Sequence, residues 1–151
     1  MTDATPSIET VLVPVDGSEE SITAVEYATA IAEKYDASLH VLYVLGEEVV
    51  RGIETDTIDR EAVADEAAAF VDVTAEIADE AGVPVTSSTA YGFSTTQKTR
   101  HPGSAILDCA EDVDADFIVV PREPSPDEPG EILERAAEYV LLYASQPVLS
   151  T

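Results

Sequence analysis

Positive charge is scarce in this sequence. Lysine and arginine together number 7 against 31 aspartates and glutamates, so the formal net charge is −24. A surface without a basic face cannot neutralise phosphates, and we therefore expect neither nucleic acid nor an anionic membrane as a partner. Apolar residues nevertheless make up 45% of the chain and recur with helix and strand spacing, which argues for a folded domain over an acidic disordered chain.

Cysteine and long apolar runs are also lacking. The single cysteine, Cys109, excludes an internal disulfide and any zinc site built from several cysteines, and it fits a reducing compartment. No apolar run reaches the roughly 18 residues that indicate a membrane-spanning helix. Residues 1–20 have neither the basic start nor the apolar centre of a secretory signal, so we expect a cytoplasmic protein. The length of 151 residues predicts one domain over residues 1–151.

Strand and helix patterns alternate along the chain. Helical spacing begins at residue 18 and returns at 61–81, 104–115 and 131–144, and strands are predicted at 10–15, 38–45, 83–92, 116–121 and 146–150. Residues 46–60 are polar and mixed, and we predict a long connection there. This alternation predicts an α/β fold, an open parallel sheet with helices on both faces. Ligands of such sheets bind at the carboxyl ends of the strands.

Three segments resemble the universal stress protein family: TVLVPVDGSEES at residues 10–21, ADFIVV at 115–120 and AAEYVLLYASQPVL at 136–149. The resemblance covers nearly the whole chain. It implies a doubly wound, Rossmann-like sheet of five strands in the order 3-2-1-4-5, and a role in stress response. It also implies a homodimer, often formed through the free edge of the last strand. Here Val148 and Leu149 are followed by polar residues, so we expect a smaller or differently placed interface.

Many members of that family bind ATP through a motif after strand four: Gly-x-x-Gly, nine residues, then Gly and Ser or Thr. With AEYV at 137–140 as the anchor, the motif falls on Pro121, Pro124, Glu134 and Arg135, so its glycines are all replaced. Proline supplies no N–H donor and restricts the path of the loop, and Glu134 adds negative charge near the phosphates. The chain is therefore similar to members without the ATP-binding motif, and we expect no cofactor.

Part of the family's nucleotide pocket has counterparts in this chain. Asp16 matches the acidic residue after strand one, and Val44 matches a strand-two position near adenine in members that bind nucleotides. Asp16 could orient a ribose, and it could also cap the helix that begins near Ser18. The two roles are compatible.

Most of the few cationic side chains follow strands three and four or lie on the last helix, where a ligand crevice is predicted. They are Lys98, Arg100, His101, Arg122 and Arg135. One interpretation is an anion site built from side chains instead of backbone amides. The other is ordinary ion pairing with neighbouring acids, for instance between Arg135 and Glu131 or Glu138.

Catalytic and metal-binding patterns are absent from the sequence. There is no Ser-His-Asp arrangement, no phosphate-binding loop and no His-x-x-x-His or EF-hand spacing, so we expect neither an enzyme nor a resident metal. We interpret Cys109 as a structural thiol and His40 as a packed or hydrogen-bonded side chain. Our leading hypothesis is a stress-response domain that associates with an unidentified protein. The alternative is a sensor of small anions or nucleotides whose crevice uses Asp16, Val44, Arg100, Arg122 and Arg135.

Dilution from molar potassium chloride into low salt is expected to destabilise the fold. The acidic composition resembles that of cytoplasmic proteins from organisms that keep molar salt inside the cell. At low ionic strength the carboxylates repel one another, whereas at 1 M salt the Debye length shrinks to about 3 Å and the repulsion is screened. Thermal unfolding followed by circular dichroism should therefore give a melting temperature that falls as salt is removed. A melting temperature that is indifferent to salt would contradict the halophilic interpretation.

Overall fold

The computed structural model describes residues 7–91, 102–121 and 131–151, and at residues 47, 48, 91, 102 and 131–135 it describes the backbone alone. Five strands lie in these ranges: β1 (Thr10–Val15), β2 (Ser38–Leu45), β3 (Val85–Tyr91), β4 (Phe117–Val120) and β5 (Val148–Ser150). The helices are α1 (Glu19–Tyr35), α2 (Glu47–Glu54), α3 (Arg60–Glu80), α4 (Pro102–Asp112) and α5 (Glu131–Tyr143).

The strands form one sheet in the order β3-β2-β1-β4-β5, and every pairing between neighbours is parallel. The predicted α/β class and strand order are thus confirmed. The reversal of strand order lies between β1 and β4, and β3 and β5 form the two edges of the sheet. In an open sheet of this kind, the carboxyl ends beside the reversal are the usual place for a ligand.

The side chains of β1 alternate between two hydrophobic cores. Val11, Val13 and Val15 pack against α1 and α3 on one face, and Leu12 packs against α4 and α5 on the other. Because both faces are covered, β1 and β2 are continuous apolar runs rather than alternating ones. These runs are the feature by which sequence patterns identified both strands.

Small side chains bring α1 close to the sheet. Ala24, Ala28 and Ala32 recur at helical spacing and are fully buried. The helix begins after the N-cap Ser18, whose side chain accepts a hydrogen bond from the Ser21 N–H, and it ends at Asp36 in a left-handed conformation. Both ends of α1 are therefore defined by local hydrogen bonding, which fixes its first turn at the carboxyl end of β1.

Residues 46–60 contain a helix, so the prediction of a continuous connection there was wrong. The helix α2 covers Glu47–Glu54, and its Val50 is buried. A side chain at Gly52 would collide with Ile58, so the absence of a Cβ lets the chain after α2 fold back over the helix. The segment has apolar residues at helical spacing, Val49, Val50 and Ile53. Because acidic residues surround them, the pattern was interpreted as a polar loop.

Every helix in the described ranges is too short or too polar to span a bilayer.

Candidate functional site

The carboxyl ends of β1 and β2 meet beside the first turn of α1. Val15 is paired with Tyr43 in the parallel register, so Asp16 and Val44 occupy the next positions along the two strands. The structure thus brings together these two residues, which the resemblance assigned to one pocket. The register alone accounts for this, because parallel strands end at the same edge of the sheet.

Asp16 organises the turn between β1 and α1. Its Oδ1 accepts hydrogen bonds from the Ser18 N–H at 3.0 Å and from the Ser21 hydroxyl at 2.7 Å. The Asp16 N–H in turn donates to Ser21 Oγ at 3.0 Å, and Ser21 is fully buried. The carboxylate therefore supports the N-terminus of the helix, which is the ordinary role considered for it. All of these bonds to the carboxylate use Oδ1.

Tyr43 is a polar residue of this edge that the sequence interpretation did not single out. Gly17 has a positive φ of 89°, and a Cβ there would lie 3.0 Å from the Tyr43 hydroxyl. The Tyr43 ring packs edge-on against Phe70 of α3, with ring centroids 6.0 Å apart. Burial, and then the negative charges of Glu66 and Asp16, raise the pKa of Tyr43. The side chain is therefore a neutral phenol that can donate a hydrogen bond beside Asp16.

Val44 belongs to the core on the opposite face of the sheet from Tyr43. It is 2% exposed and lies in the cluster that contains Leu12, Ile106 and Val140. The side chain therefore contributes apolar packing beneath the carboxyl edge.

The proposed anion site falls mainly on residues beyond the described ranges. Arg100 and Arg122 lie outside them, as do Lys98, His101 and Pro124, while Arg135 and Glu134 lie in α5 with only their backbone described. Pro121 is described: it follows β4 directly and is buried. The grouping of Arg100, Arg122 and Arg135 with Asp16 and Val44 therefore stays a prediction.

Side chains of the metal-binding types do not converge within the part of the chain that the structure describes. No group of 3 or more His, Cys, Asp or Glu there has the arrangement of a metal site. The carboxylate of Asp16 is used by the turn, as described above. The expectation of no resident metal stays a prediction for the whole chain.

A second polar cluster lies between β2 and β3, away from the Asp16 turn. His40 is 7% exposed and directly faces Thr86 in the strand register. Its Nδ1 is hydrogen-bonded to the Thr86 hydroxyl at 2.7 Å, and its Nε2 to the Ser88 hydroxyl at 2.8 Å. A neutral imidazole fits this pair, since one nitrogen donates and the other accepts while each hydroxyl adopts the complementary role. The prediction of a hydrogen-bonded His40 is confirmed.

Cys109 extends this cluster from α4. Its Sγ lies 3.9 Å from Ser88 Oγ, and the residue is half-buried. Burial raises the pKa of the Cys109 thiol, the bond to Ser88 acts in the opposite direction, and the charge of Asp112 raises the pKa further. The thiol is therefore protonated at neutral pH and a poor nucleophile, in line with the interpretation of a structural cysteine.

Comparisons with known proteins agree with this architecture. The model of the universal stress protein family matches residues 7–150. A universal stress protein of Methanocaldococcus jannaschii is 26% identical over 142 residues, which are 92% of this chain and 79% of the relative.

Solved structures show the same fold at lower identity. The universal stress protein UspA from Lactobacillus plantarum is 23% identical with a TM-score of 0.69, over 97% of this chain and 99% of that protein. A universal stress protein from Archaeoglobus fulgidus, solved in complex with dAMP, is 20% identical with a TM-score of 0.65, over 96% and 98%.

Acidification is expected to cost stability through His40. Burial lowers the pKa of His40 below its usual value of 6.5. The unfolded chain therefore binds the proton more readily, so the stability that the neutral ring contributes is fully present above about pH 6.5 and is lost as the pH falls below it. The loss amounts to about 1.4 kcal/mol for each unit of difference between the two pKa values.

An NMR titration of the His40 ring tests this directly, and a pKa at or above 6.5 would contradict it. Urea unfolding of the wild-type protein and of His40→Gln between about pH 7.5 and 5.5 gives the second measurement. Carboxylates titrate in both proteins, so the difference between their free energies of unfolding isolates His40. As the pH falls, the free energy of unfolding of the wild type should decrease relative to that of His40→Gln.

Proposed function

The chain belongs to the universal stress protein family, and we propose that it acts in stress response by associating with other proteins rather than by conventional ATP binding or catalysis. The observation that supports this most directly is the residue after β4. Pro121 is buried there, at the first glycine position of the family's ATP motif, and it has no N–H to offer a phosphate. The remaining motif positions hold Pro124, Glu134 and Arg135.

ATP binding is disfavoured because the loop after β4 lacks backbone N–H donors for the phosphates. A triphosphate at the carboxyl edge of a parallel sheet is held largely by amide N–H groups, which glycines leave accessible. Proline removes such donors from the loop, and a glutamate would add negative charge beside the phosphates. At the other side of the edge, Asp16 Oδ1 already accepts two hydrogen bonds from the α1 turn. The replaced glycines, rather than the Asp16 cap, favour a member without the ATP-binding motif.

The proposal also includes a halophilic origin and a non-enzymatic role. The high acidity of the chain supports an origin in a cytoplasm with molar salt. A non-enzymatic role is supported by the His40 cluster, where the base is buried and the neighbouring thiol is held protonated. Neither group presents an activated nucleophile.

We place a homodimer interface on the exposed end of α5. Leu141, Leu142 and Tyr143 are 53%, 71% and 65% exposed, and they form consecutive apolar residues on a chain that is otherwise coated with acids. Contiguous exposed apolar side chains commonly mark protein contacts. This surface lies next to β5 along the chain, so it accords with a differently placed version of the dimer that the family resemblance implies.

A nucleotide sensor is the second candidate. It is supported by the dAMP complex of the Archaeoglobus fulgidus protein and by the neutral Tyr43 phenol beside Asp16. In that case Arg100, Arg122 and Arg135 would replace the missing amides with charged side-chain donors. The two candidates differ in whether an anion binds saturably at high salt.

Nucleotide titration in molar potassium chloride separates these candidates. We expect no saturable heat from ATP, cyclic AMP, phosphate or sulfate, and no rise in melting temperature. A ligand present at 100 times its Kd would stabilise the protein by about 2.7 kcal/mol, which thermal unfolding resolves easily.

Restoration of the glycines provides the matched control. The combined variant Pro121→Gly, Pro124→Gly and Glu134→Gly should gain ATP binding if amide supply is the limiting factor. If a nucleotide or anion binds the wild type saturably and this binding is lost in Arg122→Ala, the sensor is favoured. The proposal that the carboxyl edge does not bind nucleotides is then refuted.

Sedimentation in molar potassium chloride tests self-association. The wild type should be a dimer, and Leu142→Asp should weaken it at least tenfold, which corresponds to about 1.4 kcal/mol, because a buried carboxylate would lack a partner. Val73→Asp is the control, since Val73 is an exposed valine of α3 (45%) and the charge change is the same. A wild type that remains monomeric, or a Leu142→Asp variant that dimerises normally, would contradict this interface.

A further inference from the structure

An exposed serine hydroxyl on β3 is hydrogen-bonded to a buried histidine. Ser88 is exposed on this edge strand, whereas His40 behind it is 7% exposed. The Ser88 hydroxyl lies 2.8 Å from His40 Nε2, and Nδ1 on the other side of the ring lies 2.7 Å from the Thr86 hydroxyl. A nucleophile, a base within hydrogen-bond reach and a third group that orients the base form the arrangement by which proteins activate hydroxyl groups.

The parallel register of β2 and β3 explains why these groups meet. His40 directly faces Thr86 in this register, and Ser88 is the next residue of β3 on the same face of the sheet, while Ser87 points to the other face. On the β1 side, the register partner of His40 is the buried Leu12. The imidazole is therefore enclosed by apolar packing behind it, and Ser88 lies between its Nε2 and the solvent.

The thiol of Cys109 favours one direction for the hydrogen of the Ser88 hydroxyl. Its Sγ lies 3.9 Å from Ser88 Oγ, and burial keeps the thiol protonated by raising its pKa. When the thiol donates to Ser88 Oγ, the serine's own hydrogen is left to bond to Nε2. Nδ1 then carries the ring hydrogen and donates it to Thr86. In this tautomer Nε2 is a base directed at the Ser88 hydroxyl.

We propose that Ser88 is a site of covalent acylation by an activated ester or thioester, with His40 as the general base. Ser88 Oγ forms a bond to the acyl carbon, and its proton passes to His40 Nε2. The bond between the acyl carbon and the leaving group breaks, and the leaving alcohol or thiol takes the proton from Nε2. The products are a serine ester and a neutral imidazole. This inference is independent of the proposed function in protein association.

Burial of the imidazole makes this site one of modification instead of turnover. Because Nε2 faces the solvent through Ser88, an acyl group on Oγ covers the base that would activate a water for hydrolysis. Thr86 holds the tautomer, but its hydroxyl does not stabilise an imidazolium as the carboxylate of a catalytic triad does. The ester is therefore expected to persist, in keeping with a non-enzymatic protein.

Charge favours an acyl donor over a phosphoryl donor. Phosphoryl transfer depends on cationic side chains or metal ions that neutralise the phosphate oxygens. The described cluster offers a neutral imidazole, two hydroxyls and a protonated thiol instead. The net charge of −24 also disfavours an anionic donor, whereas it has little effect on an uncharged ester.

Reaction with p-nitrophenyl acetate in molar potassium chloride tests the proposal. Intact-mass and peptide-mapping mass spectrometry should locate the acetyl group on Ser88. Ser88→Ala should abolish this modification, and Ser87→Ala, which changes an exposed neighbouring serine of the same strand, should leave it unchanged. His40→Gln should slow acetylation of Ser88 about 100-fold, the lower end of the usual contribution of a general base.

The pH dependence of the rate distinguishes a base from a merely structural histidine. Since burial lowers the pKa of His40, acetylation of Ser88 should be independent of pH above about pH 6.5 and should slow below it as the ring is protonated. The other titratable groups at this cluster are on α4: the Cys109 thiol, which is protonated throughout this range, and Asp112, whose charge acts on that thiol. Asp112→Asn, at an exposed position, should keep the same profile.

An NMR spectrum of the His40 ring nitrogens gives a readout that does not depend on the reaction, and it should show the tautomer with hydrogen on Nδ1. Three results would overturn the assignment of Ser88. They are a ring that carries its hydrogen on Nε2, acetylation found on Cys109 or the lysines without Ser88, and a rate that is the same in His40→Gln. If His40→Gln does not fold, Ser88→Ala and the pH profile of the wild type still decide the proposal.

Discussion

The burial of β1 on both faces is the constraint on which the rest of this structure depends. Residues 11–15 are all buried, between α1 and α3 on one side and α4 and α5 on the other. Full burial of one such side chain contributes roughly 1.5–3 kcal/mol, which is substantial against a net domain stability of about 5–15 kcal/mol. The strand must therefore be the centre of the sheet. Its carboxyl end then fixes where Asp16 and the first turn of α1 lie.

Two polar clusters lie on this sheet, one at its carboxyl edge and one between β2 and β3. At the carboxyl edge, Asp16 and Ser21 are hydrogen-bonded to each other and to the backbone of the α1 turn. Polar groups at this edge commonly contact a ligand in sheets of this type, whereas here they complete a helix cap. Between β2 and β3, His40 binds two hydroxyls of an edge strand that is otherwise exposed. In both places the polar groups are paired with one another, which favours a structural role over catalysis.

Association with another protein, the function proposed above, accords with an exposed apolar surface. Among the described residues, Leu141, Leu142 and Tyr143 form an exposed apolar end of α5 that contact with another chain would bury. An acidic surface of this kind disfavours acidic partners wherever salt does not screen the repulsion.

Sequence patterns predicted the fold class and the bounds of β1 and β2, because strands buried on both faces leave continuous apolar runs. The strand order was predicted from the family resemblance. The patterns missed α2, whose few apolar residues are dispersed among acids. The pairing of His40 with Thr86 and Ser88 could not be predicted in this way, since the contact depends on a register between residues more than 40 positions apart. The same holds for Tyr43 against Gly17. Sequence periodicity reports which face of an element is buried, whereas the partner of a polar atom is set by the packing of distant elements.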